Sequence, residues 1–236
     1  MEIENLASNY QPSQAGIDVV RRSRMLLIAG ITSAGKGAVR DRLIDSYDYC
    51  RVITHTTRPP RSNNGILERD GVEYHFVSLS QMADLLFDHK MFEINYFGGN
   101  YYGTSIDEFI KAGQLGKVAV SDIDINGIAA IYNVAPDNVT AIFIVPPDYE
   151  VWKKRIENRY NDIELFKVDW DKRRNIAINE LNHVLKTPYY HFVINDNLDK
   201  AVSEVNDIVT GNYNYEKEEQ AKLCIKDLLK AIEQDI

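Results

Sequence analysis

Cysteine is scarce in this chain of 236 residues: Cys50 and Cys224 stand far apart in unlike surroundings. Such a pair suggests neither a disulfide framework nor a metal knuckle. Long apolar runs are missing too. The longest, around Met25–Ile31 and Ala141–Val145, fall far short of the ~20 residues that cross a bilayer as a helix. No apolar stretch with a small-residue cleavage site opens the chain, so no secretory signal is expected. Positive charge is in deficit. With 27 Lys and Arg against 35 Asp and Glu, the net charge is −8, which disfavours a broad nucleic-acid-binding face but leaves room for a basic pocket. No internal repeat is found. What is present, 44% hydrophobic and 26% charged residues, is the balance of an ordinary folded chain. The length suits one domain with an attachment, or two small ones. The expectation is a soluble, reduced, cytoplasmic protein without a membrane segment.

Four short apolar runs read as buried strands: Met25–Ala29, Val118–Val120, Ala141–Val145 and His191–Ile194. Each ends in residues that stop a strand, and helical stretches lie between them, which predicts an α/β fold with a parallel sheet. Ligands of such sheets gather beyond the carboxyl ends of the strands. Residues 1–20 are polar and mixed, and read as a loose arm or short helix. Residues 51–104, rich in Tyr, Thr, Gly and Arg, read as a small inserted subdomain of short strands. Residues 148–182 read as charged helix. Tyr215–Ile236 predicts an amphipathic helix with Leu223, Ile225, Leu228, Leu229 and Ile232 as its apolar face.

Between the first strand and its helix lies Gly30-Ile31-Thr32-Ser33-Ala34-Gly35-Lys36-Gly37. It meets the phosphate-loop pattern G-x-x-x-x-G-K-[ST] at three of four fixed positions. Glycines let the backbone curl so that successive N–H groups face an anion, and the helix behind adds its positive end. Lys36 supplies a point charge for β- and γ-phosphates. The fourth position departs from the pattern: Gly37 has no hydroxyl for Mg²⁺, which would take another water in its place.

A second set begins at Thr54-His55-Thr56-Thr57-Arg58-Pro59-Pro60-Arg61, two arginines on a proline-stiffened segment whose guanidinium forks suit phosphate. DGVEYHFVS (residues 70–78), GGNYYGTS (98–105), DIDING (122–127) and IVPP (144–147) follow. In this order the motifs resemble the guanylate kinase family, from about Arg24 to Ile208. The resemblance implies a three-layer P-loop kinase fold with a central parallel sheet, an inserted β-rich GMP-binding subdomain and a helical lid. It divides the chain into an extension (1–20), a kinase-like domain (21–210) and a C-terminal helical extension (211–236). Within the domain, the core would be 21–50, 105–150 and 183–210, the GMP-binding subdomain 51–104 and the lid 151–182.

The implied activity is γ-phosphoryl transfer from ATP to GMP, with Mg²⁺ accompanying ATP and with no nucleic-acid or membrane partner, in a monomer or homodimer. The loop Gly30–Gly37 and Asn195 would bind ATP. Thr54, Arg58, Arg61, Tyr74, Glu93, Tyr102, Thr104 and Asp124 would bind GMP. Lys36, Arg155, Arg159, Arg173 and Asp122 would be catalytic, with Asp122 reaching the metal through water. A carboxylate such as Glu93 is the natural reader of guanine's N1–H and 2-amino donors. Departures from the family pattern are Gly37, Ser33 where Gly is usual, Thr54 for Ser and Asn126 for Gln. Two alternatives stay open: a catalytically weak binding module, favoured by Gly37 and Ser33, and a kinase of a phosphorylated sugar, against which Glu93 and Thr104 weigh.

Overall fold

The computed structural model describes residues 3–63, 65–160 and 162–235. Helices α1 (Ile3–Ser8) and α2 (Gln14–Arg22) open it. Strand β1 (Met25–Ala29), helix α3 (Lys36–Ser46) and strands β2 (Tyr49–Arg51) and β3 (His55–Thr56) follow. Next come β4 (Ser62–Asn63), β5 (Ile66–Leu67), β6 (His75–Phe76), α4 (Leu79–Phe87), β7 (Met91–Phe97) and β8 (Asn100–Ser105). Helix α5 (Ile106–Gln114), β9 (Val118–Asp122), α6 (Ile125–Val134) and β10 (Val139–Val145) lead into α7 (Tyr149–Glu157) and α8 (Ile163–Leu185). The chain finishes with β11 (Tyr190–Ile194), α9 (Leu198–Val209) and α10 (Tyr215–Gln234). Five strands form a sheet in the order β11-β10-β1-β9-β2, with β10 parallel to β11 and β2 parallel to β9.

All four apolar runs are strands, because a short continuous apolar run satisfies a strand covered on both faces. Every residue of β1 is buried, as are Ala141–Val145 of β10. The sequence reading passed over β2, whose three residues are too short to show a period. No described helix is long and apolar enough to cross a membrane.

Contacts divide the chain into two compact units. One comprises Met1–Met25, Asp48–Ser121 and Val134–Asn138. Here β6, β3, β8 and β7 form a four-stranded sheet, and α4 starts with a capping box in which Ser78 and Gln81 exchange side-chain-to-backbone hydrogen bonds. Residues 3–20, read as a loose arm or short helix, are helical over α1 and most of α2 and are packed down. Helix α1 packs on α4 and α2 packs on α5, the Tyr10 hydroxyl donates to the Met91 carbonyl at 2.5 Å, and Val20 is fully buried.

The other unit comprises Leu26–Tyr47, Asp122–Asn133 and Val139–Ile236. Phe166, Trp170, Ala177, Leu181 and Val184 of α8 recur at helical spacing and are buried. Helix α10 packs on β11 and α8 through Ala221, Ile225, Leu228 and Ile232. Leu223, expected on that face, is 58% exposed. It sits two residues from both Ala221 and Ile225, about 200° around a helix of 3.6 residues per turn.

In the first unit, His55 is kept neutral: burial, and His75 with its ring 4.6 Å away, push the His55 imidazole down to about 4. Glu108, Asp70 and Asp107 act in the opposite direction. Glu108 meanwhile faces His75 Nε2 at 3.1 Å and accepts from the Ile53 amide at 2.8 Å. Since the folded value lies below the ordinary 6.5, the unfolded chain binds the proton first as pH falls. Stability present above pH 6.5 is therefore lost progressively toward pH 4. Denaturant titrations at stepped pH should show this decline, and His55→Asn should flatten it. Equal slopes in the two proteins would refute the assignment.

Candidate functional site: a phosphate loop and a polar sheet face

The loop leaves the carboxyl end of β1 and runs straight into α3, so it presents both loop amides and the positive end of a helix. Its underside is apolar: Ile31 and Ala34 are fully buried. Asn195, past the end of β11, anchors it from below, donating through Nδ2 to the Ala34 carbonyl at 2.9 Å. Gly35, just before α3, has φ +98°, and a Cβ there would approach Asn195 Nδ2 to 2.2 Å. Both the backbone angle and the space demand glycine. Ser33 has φ +63° without that excuse, so this position carries left-handed strain.

Lys36 opens α3 and folds back over the loop. Its ammonium donates to the carbonyls of Gly30 and, at 3.3 Å, Ile31. Burial lowers its pKa, while the carboxylates of Glu180 and Asp122 oppose that shift. Burial raises the Glu180 carboxyl, against the pull of Lys36. Asp122, the last residue of β9, pairs with the Arg40 guanidinium, which also holds Asp41 at 2.7 Å. A Cβ at Gly37 would meet only Arg40 Nη2, at 3.7 Å, so the position has room for a side chain.

Three further arginines border the loop in the same unit. Arg173 Nη1 and Arg159 Nη1 lie 3.4 Å from Thr32 Oγ1 and Ser33 Oγ, respectively. Arg155 donates to the Asn195 carbonyl at 2.9 Å, while its Nη1 is buried with no partner among the described residues. Trp152, fully buried, ties α7 to the loop through Nε1–H to the Thr32 carbonyl at 2.8 Å. Asp124 caps the start of α6, one oxygen accepting from the amides of Asn126 and Gly127.

The four-stranded sheet of the other unit carries the remaining candidates. Glu93 of β7 lies directly opposite Thr104 of β8, and Asn95 opposite Tyr102. Tyr102 also pairs with Thr56, and Thr56 with Phe76, so one row runs across four strands. Alternation puts Glu93, Asn95, Tyr102 and Thr104 on one face. Asn95 Nδ2 donates to Glu93 Oε2 at 2.6 Å. Arg58 is buried, donates to Glu68 Oε2 at 2.8 Å, and lies 5.2 Å from the Tyr74 ring centroid. The same Glu68 oxygen accepts from the Arg61 amide at 2.8 Å, and the Thr54 carbonyl accepts from the His75 amide. One carboxylate thus spans both arginines of the proline-rich segment.

A parallel sheet with an anion loop between its central strand and the following helix defines the class of P-loop α/β proteins. The sequence model of the guanylate kinase family matches residues 22–212, which is most of the chain, and this chain belongs to that family. A guanylate kinase of Sulfurimonas denitrificans is 38% identical over 75% of this chain and 82% of its own length. One of Histophilus somni is 34% identical over 89% of this chain and 99% of its own. A crystal structure of guanylate kinase from Anaplasma phagocytophilum matches in fold with a TM-score of 0.59 at 18% identity, covering 89% of this chain and 94% of that one.

Sequence reasoning missed Arg40, Glu180, Glu68 and Asn95. Glu180 follows Arg173 by seven residues, a two-turn spacing that was legible. Asn95 follows Glu93 by two on a strand, which puts them on one face. Arg40 and Glu68 had no comparable signal, since their partners are distant in sequence or across a turn. Ser33→Gly should relieve the loop, the strain of ~1–2 kcal/mol being offset in part by chain entropy of ~0.5–1 kcal/mol. Denaturant unfolding should show a net gain of about 0.5–1 kcal/mol, and a loss would show that the serine hydroxyl matters more than the backbone.

Proposed function

We propose that this chain transfers the γ-phosphoryl group of ATP to GMP, giving ADP and GDP, a step of purine nucleotide metabolism. The observation that carries the reading is the combination of an anion loop headed by Lys36 with an acidic residue, Glu93, facing Thr104 across β7 and β8. Guanine offers N1–H and a 2-amino group side by side, and a carboxylate accepts both; adenine has no such pair on that edge. A buried acceptor left unmatched is costly, which is how such a pocket rejects the wrong base. Thr104 would lie near O6, with Asp124 also toward the base. Arg58, Arg61, Tyr74 and Tyr102 would hold the GMP phosphate, with Thr54 beside them. Residues 51–104 would then form the acceptor subdomain.

On the donor side, the amides of Gly30–Gly37 would cradle the ATP phosphates above the Asn195 anchor. Lys36, Arg155, Arg159 and Arg173 would neutralise the charge that moves in transfer, and residues 151–182 would act as the lid. Arg155 Nη1, without a partner among the described residues, suits that task. No general base is required, since the acceptor is a phosphate oxygen ionised at neutral pH. Catalysis is alignment and charge neutralisation, with lid closure keeping water from ATP.

The chain's donor set fits an ATP-borne Mg²⁺, which keeps several waters and takes one or two carboxylates plus phosphate oxygens. Asp122 is the carboxylate at hand, and no cage of three His, Cys, Asp or Glu occurs among the described residues. Bound there, Mg²⁺ supplies charge neutralisation on the β- and γ-phosphates.

A coupled assay with ATP, Mg²⁺ and each nucleoside monophosphate tests the reading. ADP release with GMP should exceed that with AMP or CMP by at least about a hundredfold in kcat/KM. Glu93→Ala should cost GMP about a hundredfold, the worth of a charged hydrogen bond, and leave AMP unchanged. No turnover with GMP, or equal turnover with AMP, would sink it. Gly37→Ser has the space it needs, and should raise turnover or lower the Mg²⁺ concentration for half-maximal rate. An unchanged rate and Mg²⁺ dependence would show that the hydroxyl contributes nothing.

A further inference from the structure

Helix α10 lies beyond the residues matched by the family model, 22–212. Its last turn contains no basic residue, and Asp235 follows as the C-cap. Negative charge at a helix C-terminus opposes the macrodipole, so local helix stability gives no reason for this acid. Its tertiary surroundings do. Asp235 Oδ2 accepts from Trp170 Nε1 at 3.0 Å and from Arg174 Nη1 at 3.3 Å, both on α8. Arg174 Nη1 also donates to the Asp235 backbone carbonyl. Oδ1 accepts from Lys153 Nζ of α7 at 3.3 Å. One residue therefore gathers donors from α7, which bears Arg155, and from α8, which bears Arg173, with Arg159 in the link between them. Burial works to raise the Asp235 carboxyl, yet Tyr149, Trp170 and Lys153 outweigh it and hold the group down to about 2. It is charged at any physiological pH.

The connection continues inward. The Trp170 ring lies 5.2 Å from that of Trp152, whose indole N–H binds the Thr32 carbonyl in the phosphate loop. Arg173 sits between Trp170 and Arg174 on α8, braced by Asp169 at 2.7 Å and 3.4 Å from Thr32 Oγ1. A turn of α8 about its axis would move Arg173 off the loop, and the two donors on either side of that residue both end on Asp235.

We propose that α10 is a clasp across α7 and α8 and that Asp235 is its catch, a positioning residue that fixes Arg173, Arg155 and Arg159 relative to the phosphate loop. Its bearing on turnover rests on the phosphotransfer reading; its bearing on ATP binding requires only the anion loop.

The test compares full-length wild type with Asp235→Ala and Asp235→Glu. ATP affinity comes from calorimetry, kcat and KM for GMP from the coupled assay, and amide exchange is followed over residues 163–185. Asp235→Ala should weaken ATP binding and lower kcat each by roughly tenfold, since small misplacements of charged groups carry that cost, with KM for GMP within about twofold of wild type. Exchange in α8 should quicken, and Asp235→Glu should recover most of the loss. Unchanged ATP affinity and kcat in Asp235→Ala, even with a lower melting temperature, would overturn the proposal. If wild type itself fails to turn over GMP, the phosphotransfer reading falls, while ATP affinity still decides the clasp. Should Asp235→Ala not fold, Asp235→Asn serves in its place with the same criteria.

Discussion

The turn between β1 and α3 holds its shape only because what lies beneath it is already satisfied. Ile31 and Ala34 fill the underside, and Asn195 takes the Ala34 carbonyl. With that floor fixed, the first turn of α3 keeps amides without a partner inside the helix, and these are what would let the segment receive an anion. Lys36 is bound by the same constraint. Its ammonium rests on loop carbonyls, so on the proposed reading a phosphate would only exchange one oxygen for another.

Cations held by carboxylates recur across the candidate groups. Arg58 is held by Glu68, Arg40 by Asp122 and Arg173 by Asp169. An unbraced arginine loses considerable rotamer freedom when it grips a ligand, and a braced one has lost it already. These three positive charges are thus set in place before use, whereas Arg155 Nη1 has no partner among the described residues.

Much of this was legible from sequence. The four buried strands and the helices around them rest on apolar period and length, which survive in the linear text. The loop was legible because its chemistry is contiguous, Gly30 to Gly37. The facing of Glu93 and Thr104 was reached only through family resemblance, because cross-strand register depends on a bulge near Met91 that no local pattern announces. Arg40 with Asp122, 82 residues apart, and Asp235 with Trp170, 65 apart, are invisible in one dimension. So was the packing of residues 3–20, whose polar composition masks the few buried anchors, Val20 above all.

Those first residues carry a consequence for how the molecule is made. The partners of α1 and α2 are α4 and α5, residues 79–114, and Tyr10 reaches a carbonyl 81 positions downstream. At a synthesis rate of ~5–20 residues per second, the earliest helices wait on the order of ten seconds outside the ribosome before anything exists to cover them. Their polar make-up, which hid their packing from inspection, is what lets them wait in water without sticking to a neighbour.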